Sequence, residues 1–191
     1  GKINMDYTGV DFLTFAPHKF YGLNGFGCLI NFNNIKLVPI IHGGKSTTIF
    51  RSGTPVTANV VALSSSLKIA LENLDERYKY IKELNEILKN EFNKINCIHI
   101  NSPLNSIPNT LNISLINKNT ENILKELEKK DIYLSTTTAC ALGSSPSKSV
   151  LAITGSEELA SNTLRISISH LTTKNEIEEF LKEFKSILDN N

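Results

Sequence analysis

The segment that decides the fold of this chain is residues 11–30, which read DFLTFAPHKFYGLNGFGCLI. Two apolar runs, 11–16 and 26–32, enclose a connection with two glycines, a pattern typical of two strands joined by a turn. Lys19 lies on this connection. A lysine amine reacts with carbonyl compounds when burial or neighbouring charge lowers its pKa, yet most lysines in proteins are solvated. The position alone therefore fits both a covalent cofactor site and an ordinary surface lysine.

The composition is that of an ordinary globular protein. The chain has 191 residues, of which 40% are hydrophobic and 20% charged, enough to form a core in one large or two smaller domains. The formal net charge is +1 with the signs interspersed, so we expect no nucleic-acid and no membrane partner. Three widely spaced cysteines form neither a disulfide framework nor a metal-binding pair, which predicts a cytoplasmic protein without a metal site.

Hydrophobic periodicity predicts a helical bridge followed by a mixed domain. Apolar residues recur every three to four positions from 57 to 93, which indicates a long helix broken near 73–75. We therefore expect a partial α/β segment, residues 1–75, and a small α+β domain, residues 76–191, with the boundary inside this helix. Within the second domain the pattern predicts strands at 96–100, 111–116, 132–134 and 164–168, and helices at 120–130, 148–153 and 173–188, the last capped by Thr172 or Thr173.

The loop at 135–149 contains Cys140 among small and hydroxyl-bearing residues. A thiolate in such a loop can be exposed and nucleophilic, but exposed cysteines also occur without a function, and the local sequence favours neither explanation. Cys28 and Cys97 lie in predicted strands and are expected to be inert core residues. Cys140 is therefore the candidate nucleophile of the chain.

Two more segments carry groups that bind anions. The loop with Gly43-Gly44 and Arg51-Ser-Gly-Thr54 offers amides, hydroxyls and a guanidinium of the kind that hold phosphate, although most such loops bind nothing. Arg165 lies in the predicted strand 164–168, where alternation places it on the face opposite Leu164. Its planar guanidinium suits a carboxylate, although a solvated arginine is the commoner case.

The order of these segments resembles that of the NifS/IscS-like cysteine desulfurases of the class-V aminotransferase group. The stretch with His18-Lys19 followed by Tyr-Gly resembles the cofactor-lysine segment of that family. Arg51-Ser-Gly-Thr54 resembles the loop that reaches into the partner subunit's cofactor site, Thr138-Ala-Cys140 the catalytic-cysteine loop, and Leu164-Arg165-Ile-Ser the C-terminal arginine strand. The resemblance implies an α/β fold: the C-terminal part of a fold-type I pyridoxal-phosphate-dependent transferase, with the end of the large α/β domain, a long linking helix and a small α+β domain.

The resemblance also implies a role for each candidate residue. Lys19 would bind pyridoxal 5'-phosphate covalently and then transfer protons, with His18 beside the cofactor and Thr54 at its phosphate across a dimer interface. Arg165 would hold the carboxylate of the substrate L-cysteine. Cys140 would take up the substrate sulfur as a persulfide, leave L-alanine, and pass the sulfur to an acceptor protein, either an iron–sulfur scaffold or a tRNA-thiolation carrier. The full-length enzyme would be a homodimer.

The chain also departs from the family pattern. Ala16 stands where family members usually have a phosphate-binding serine, His170 stands where many have arginine, and residues 45–50 replace a polar and charged stretch. The family's aspartate for the pyridinium nitrogen, its ring-stacking histidine and its phosphate turn all precede the lysine segment and are not in this sequence. We therefore expect the C-terminal half of a desulfurase, active only with the missing half and poorly soluble alone. The alternatives are an inactive remnant that carries sulfur or dimerises, or a related lyase or aminotransferase.

Overall fold

The computed structural model describes residues 6–44, 48–136 and 146–190. The contacts divide the chain into two compact units, with the division between Leu74 and Asp75. That the first unit belongs to a large cofactor domain and the second is a small domain stays a prediction. In chain order the elements are β1 (Phe12–Phe15), a 3₁₀ helix (Pro17–Phe20), β2 (Cys28–Asn31), α1 (Thr57–Glu72), α2 (Leu74–Phe92), β3 (Ile98–Ile100), β4 (Thr110–Leu115), α3 (Thr120–Glu128), α4 (Lys148–Thr154), α5 (Glu157–Ser161), β5 (Thr163–Ser167) and α6 (Lys174–Asn190).

The first unit contains the predicted pair of strands. β1 and β2 are antiparallel, with Phe12 opposite Asn31 and Phe15 opposite Cys28. The two-strand prediction is therefore confirmed. The connection between the strands contains the 3₁₀ helix, which the periodicity did not predict because four residues are too few to produce a helical pattern.

The long predicted helix is broken where the sequence indicates. α1 ends at Glu72 and α2 begins at Leu74, and the Asn73 side-chain amide donates to Ile69 O at 3.1 Å. Such local bonds between asparagine side chains and the backbone compete with helix continuation. α1 buries none of its residues, whereas α2 buries one stripe of its surface. The two helices therefore differ in environment.

The second unit is built on a three-stranded antiparallel sheet in the order β3-β4-β5. One face of this sheet, which includes Leu111 and Leu164, forms the core together with α2, α3 and α6. Phe92 is fully buried there, and its ring meets those of Phe180 and Phe184 edge-on at centroid distances of 6.3 and 5.8 Å. This aromatic cluster joins the first and last helices of the unit.

The other face of the sheet is polar. Alternation along β4 and β5 places Asn112, Ser114, Thr163 and Arg165 on this face, away from the apolar core. α5 covers part of it, and Ser114 Oγ donates to Leu159 O at 2.7 Å. The predicted orientation of Arg165 is thus confirmed.

Two details of the second unit differ from the predicted pattern. Residues 132–134 form no strand, because the chain leaves α3 through Asp131 at a left-handed φ of 58° and pairs with β5 only at Ser135. The prediction of a strand there was wrong. α5 was not predicted, because its five residues are too few to show a helical period.

The predicted cap of α6 is confirmed. Thr173 Oγ1 accepts from Glu176 N–H at 3.2 Å, and Glu176 Oε2 accepts from Thr173 N–H at 2.6 Å.

The two units bury very different amounts of apolar surface. Among the described residues of the first unit only Pro17 is buried, and most of the exposed large apolar side chains in the chain belong to this unit. On α1, Val60 and Val61 are 61% and 66% exposed. Large contiguous apolar surfaces are unusual on monomeric soluble proteins. The first unit is therefore a layer without a core of its own, which accords with the predicted poor solubility but does not test it.

Candidate active site

Lys19 lies in the 3₁₀ helix between β1 and β2. Pro17 occupies the start of this helix, where its restricted φ and missing N–H are tolerated. Lys19 N–H donates to Ala16 O at 3.1 Å, and Tyr21 closes the helix in a left-handed conformation with φ of 67°. The side chains of His18 and Lys19 are exposed, and Lys19 has no side-chain partner among the described residues. The amine is therefore available for reaction.

Gly22 holds this turn against α1. Its N–H donates to Pro17 O at 2.9 Å. A Cβ atom at position 22 would lie 2.8 Å from Pro17 Cβ and 2.9 Å from Ser66 Oγ, which is closer than real Cβ contacts. Glycine is thus the residue that lets the Lys19 turn approach the helix so closely.

The loop before Thr54 is ordered by bonds to its own backbone. Ser52 N–H donates to Ile41 O at 3.1 Å, and Ser52 Oγ donates to Gly44 O at 3.3 Å. Thr54 is exposed. Among the described residues, no hydrogen bond connects Thr54 with Lys19. The two predicted cofactor contacts therefore belong to the same unit but are not hydrogen-bonded to each other.

Arg165 lines a small cavity on the polar face of the second unit's sheet. The cavity has a volume of about 140 Å³. Arg165 Nε is buried and has no hydrogen-bond acceptor among the described residues. None of the described residues that line the cavity is Asp or Glu. A buried, positively charged donor without an acceptor is suited to binding an anion.

Described residues near both ends of the Cys140 segment line the same cavity. Cys140 itself lies outside the described residues, as does the rest of 137–145. Thr136 precedes this segment and Ser147 follows it, and both line the Arg165 cavity. The role of Cys140 at this cavity stays a prediction.

The hydrogen-bond network beside Arg165 was not predicted from the sequence. Asn112 Oδ1 accepts from Asn101 Nδ2 and from Thr163 Oγ1, each at 2.7 Å. Asn101 Nδ2 also donates to Ser114 Oγ at 2.6 Å. Asn101, Ser114 and Thr163 are almost fully buried. The signal was present, because the alternation that places Arg165 on the polar face also places polar residues of the predicted strand 111–116 there.

A match to a protein family accompanies this geometry. The family model described as Aminotransferase class-V matches residues 1–180. The chain belongs to this family.

Two curated relatives and two solved structures illustrate the similarity. The cysteine desulfurase IscS of Dictyoglomus turgidum is 32% identical over 190 residues, which cover 98% of this class-V aminotransferase chain and 48% of the relative. The mitosomal cysteine desulfurase of Encephalitozoon cuniculi is 34% identical over 184 residues, which cover 93% of this chain and 42% of the relative. A NifS-like protein of Rickettsia africae has a TM-score of 0.80 at 29% identity, with 98% of this chain and 50% of that chain covered. Another protein described as NifS-like has a TM-score of 0.80 at 31% identity, and the match covers 95% of this chain and 47% of that chain.

The class-V aminotransferase chain spans about half the length of the curated relatives it matches. The NifS-like structures are likewise covered to about half. The predicted family is confirmed, and so is the predicted fold class of a partial fold-type I transferase with mixed helices and sheets.

One departure from the family pattern has an electrostatic consequence in this chain. His170 is half-buried, and burial lowers its pKa, assisted by the positive charge of Arg77. A lowered pKa favours the neutral imidazole. His170 therefore does not replace the permanent charge of an arginine.

Two kinds of feature are absent from the described part of the chain. None of its helices combines the length and the apolar character needed to cross a membrane. The described residues also contain no group of three or more His, Cys, Asp or Glu arranged to hold a metal ion.

Proposed function

We propose that this chain is the part of a cysteine desulfurase that holds the substrate carboxylate and receives its sulfur. The observation that carries the proposal is the unpaired Arg165 Nε at a cavity bordered by both ends of the Cys140 segment. A guanidinium binds a carboxylate through charge-assisted hydrogen bonds. Thr136 and Ser147 line this cavity, so a thiol on the segment between them would meet a small amino acid bound there more often than a free thiol, which would raise the rate of an attack. L-cysteine is the substrate we propose, because relatives named cysteine desulfurase match nearly the whole chain.

The first unit would hold pyridoxal 5'-phosphate. The Lys19 amine has no partner among the described residues, so it is available for the aldehyde, and the exposed Thr54 hydroxyl is available for the phosphate of the cofactor in the other subunit. His18, exposed next to Lys19, would lie beside the cofactor. Ala16 adds no hydroxyl to this set. When bound, the cofactor would supply an electron sink for the substrate carbon atoms.

In this proposal Cys140 is the nucleophile and Lys19 the proton carrier. The Cys140 thiolate forms an S–S bond with the substrate sulfur as the C–S bond breaks, and the electron pair of the C–S bond stays on the carbon side. Lys19 removes the proton from the substrate α-carbon and later returns a proton to it, and a second proton added to the former sulfur-bearing carbon completes L-alanine. The persulfide left on Cys140 then passes its outer sulfur to an acceptor protein, an iron–sulfur scaffold or a tRNA-thiolation carrier.

The proposal includes a complementary half and a second subunit. Pro17 is the one buried residue among the described residues of the first unit, so this unit exposes much apolar surface. Such a surface supports the proposal that another half or subunit covers it. We propose a homodimer in which Thr54 contacts the cofactor phosphate of the other subunit. A cytoplasmic location is proposed because the described cysteines, Cys28 and Cys97, are free.

The test is conversion of L-cysteine by this chain joined to the N-terminal half of a relative, with pyridoxal phosphate added. We expect equal amounts of L-alanine and reducible sulfur, and a visible absorbance band from cofactor linked to lysine. Lys19→Ala should lose the band and the activity. Arg165→Lys should raise KM by about tenfold or more, because the planar, two-pronged contact with the carboxylate is lost.

Cys140→Ser is the variant that separates desulfuration from related chemistry. It should abolish persulfide formation while cofactor binding is retained, and Cys28→Ser is the matched control that should leave all readouts unchanged. An assembled protein with bound cofactor that makes neither L-alanine nor sulfide would refute the proposal. Retained L-alanine production in Cys140→Ser would point instead to a lyase or aminotransferase without a cysteine nucleophile.

A further inference from the structure

We propose that Asn112 is a second substrate-binding residue, whose side-chain NH₂ group donates a hydrogen bond to the carboxylate held by Arg165. The inference rests on the proposed function, because it adds a residue to the same cavity. Asn112 lines that cavity together with Arg165.

The strand register brings the two side chains together. Asn112 and Arg165 are partners across β4 and β5. Three residues away along each strand, Ile168 N–H donates to Asn109 O at 2.9 Å, which marks that pair as hydrogen-bonded. Hydrogen-bonded and non-hydrogen-bonded pairs alternate in an antiparallel ladder, so Asn112 and Arg165 form a pair of the second kind. Side chains are closest in such pairs.

The orientation of the Asn112 amide follows from its bonds. Its Oδ1 accepts from Asn101 Nδ2 and Thr163 Oγ1, each at 2.7 Å, and a carbonyl oxygen has two lone pairs. The oxygen end of the amide is therefore fully used by the protein. The NH₂ end remains as a donor, and it has no acceptor among the described residues.

Two donors without acceptors thus occur at one cavity. Arg165 Nε is buried and has no acceptor among the described residues, and no carboxylate of the described residues lines the cavity to provide one. A buried unpaired donor is costly unless an acceptor enters, and the Asn112 NH₂ group, which does not belong to the buried unpaired atoms, adds a second donor at the same cavity. A carboxylate supplies two acceptor oxygens, one for each donor. The pair would therefore recognise the carboxylate end of an amino acid by shape as well as charge.

The experiment measures binding of L-alanine to the full 191-residue chain, from the broadening of the L-alanine methyl signal in NMR spectra. Ligand-observed spectra need little protein, which suits a chain with exposed apolar surface. Asn112→Asp keeps an oxygen for Asn101 and Thr163 but places a negative oxygen where the NH₂ group was. Asn112→Ala removes the donor outright. We expect each variant to bind L-alanine about tenfold more weakly or worse, the worth of one hydrogen bond to a charged group.

Ser114→Ala is the matched control. It removes a bond from the same buried network, but Ser114 does not line the cavity. We expect it to lower the unfolding midpoint and leave the affinity for L-alanine unchanged. Wild-type affinity in Asn112→Asp, or an equal loss of affinity in Ser114→Ala, would overturn the role of Asn112 while leaving Arg165 as the binding group. Absence of binding in the wild-type chain would overturn it as well, whereas the proposed function is judged separately by L-cysteine conversion in the assembled protein.

Discussion

Replacing Gly22 by alanine should loosen the turn that carries Lys19. The added Cβ would lie 2.8 Å from Pro17 Cβ, 2.9 Å from Ser66 Oγ and 3.0 Å from Pro17 O. The Ser66 hydroxyl can rotate, but the ring and carbonyl of Pro17 belong to the turn itself. Relief therefore requires the turn itself to open, because the contacts with Pro17 lie within it.

The expected cost is that of overpacking, about 1–3 kcal/mol. The assay is hydrogen exchange at the two amides that close the turn, Lys19 N–H bonded to Ala16 O at 3.1 Å and Gly22 N–H bonded to Pro17 O at 2.9 Å. Where local opening controls exchange, that cost corresponds to a roughly 5- to 150-fold faster rate. The same variant should form the lysine–cofactor absorbance band more slowly, because Lys19 is less well positioned.

Gly27→Ala is the matched control for Gly22→Ala. A Cβ at Gly27 would meet only Phe15 O, at an ordinary 3.5 Å. The double variant with Ser66→Ala should recover part of the lost protection, since it removes one of the close contacts and leaves those with Pro17. Equal exchange rates in Gly22→Ala and Gly27→Ala would refute the reasoning that Gly22 fixes the turn.

Three predictions concern the second unit. Phe92→Ala should destabilise it by about 3–5 kcal/mol in urea unfolding, because a fully buried ring leaves a cavity in the aromatic cluster; a loss below 1 kcal/mol would contradict the described core. Hydrogen bonds from Lys185 and then Lys94 lower the pKa of Glu91 from 4.5 to about 2, so the stabilisation by this carboxylate is complete above about pH 4.5 and is lost as the pH falls towards 2. Glu91→Gln should therefore flatten this part of the pH profile of the unfolding midpoint, and a profile like that of the wild type would count against the pairing. Thr173→Ala removes the cap of α6 and should cost about 1 kcal/mol in thermal unfolding followed by circular dichroism, where an unchanged melting curve would argue against the cap.

The elements that depend on local pattern were predictable from the sequence. The β1–β2 pair, the helix break at Asn73 and the orientation of Arg165 follow from alternation, helical period and breaker residues over short windows. The false strand at 132–134 shows the limit of this approach. Its apolar residues match a strand pattern, but the backbone reaches the neighbouring strand only at Ser135.

The site was predictable only in part, because its geometry depends on contacts between distant residues. Arg165 could be assigned to a face, yet its cavity depends on Asn112, which Thr163 holds from 51 residues away in the sequence. The close approach of Gly22 to Ser66 on α1 is equally invisible to periodicity. Lys19 and Cys140 gained their proposed roles from the family resemblance, since neither local sequence distinguishes a functional side chain from an ordinary one.

The uneven distribution of buried residues between the two units affects the order in which they can fold during synthesis. The first unit, with only Pro17 buried among its described residues, leaves the ribosome before the second unit, which contains the continuous core. Translation adds about 5–20 residues per second, so the apolar side chains of the first unit stay exposed for several seconds before the second unit has emerged. Chaperone binding to the nascent chain should therefore be strongest early in synthesis and should decline once the second unit has folded.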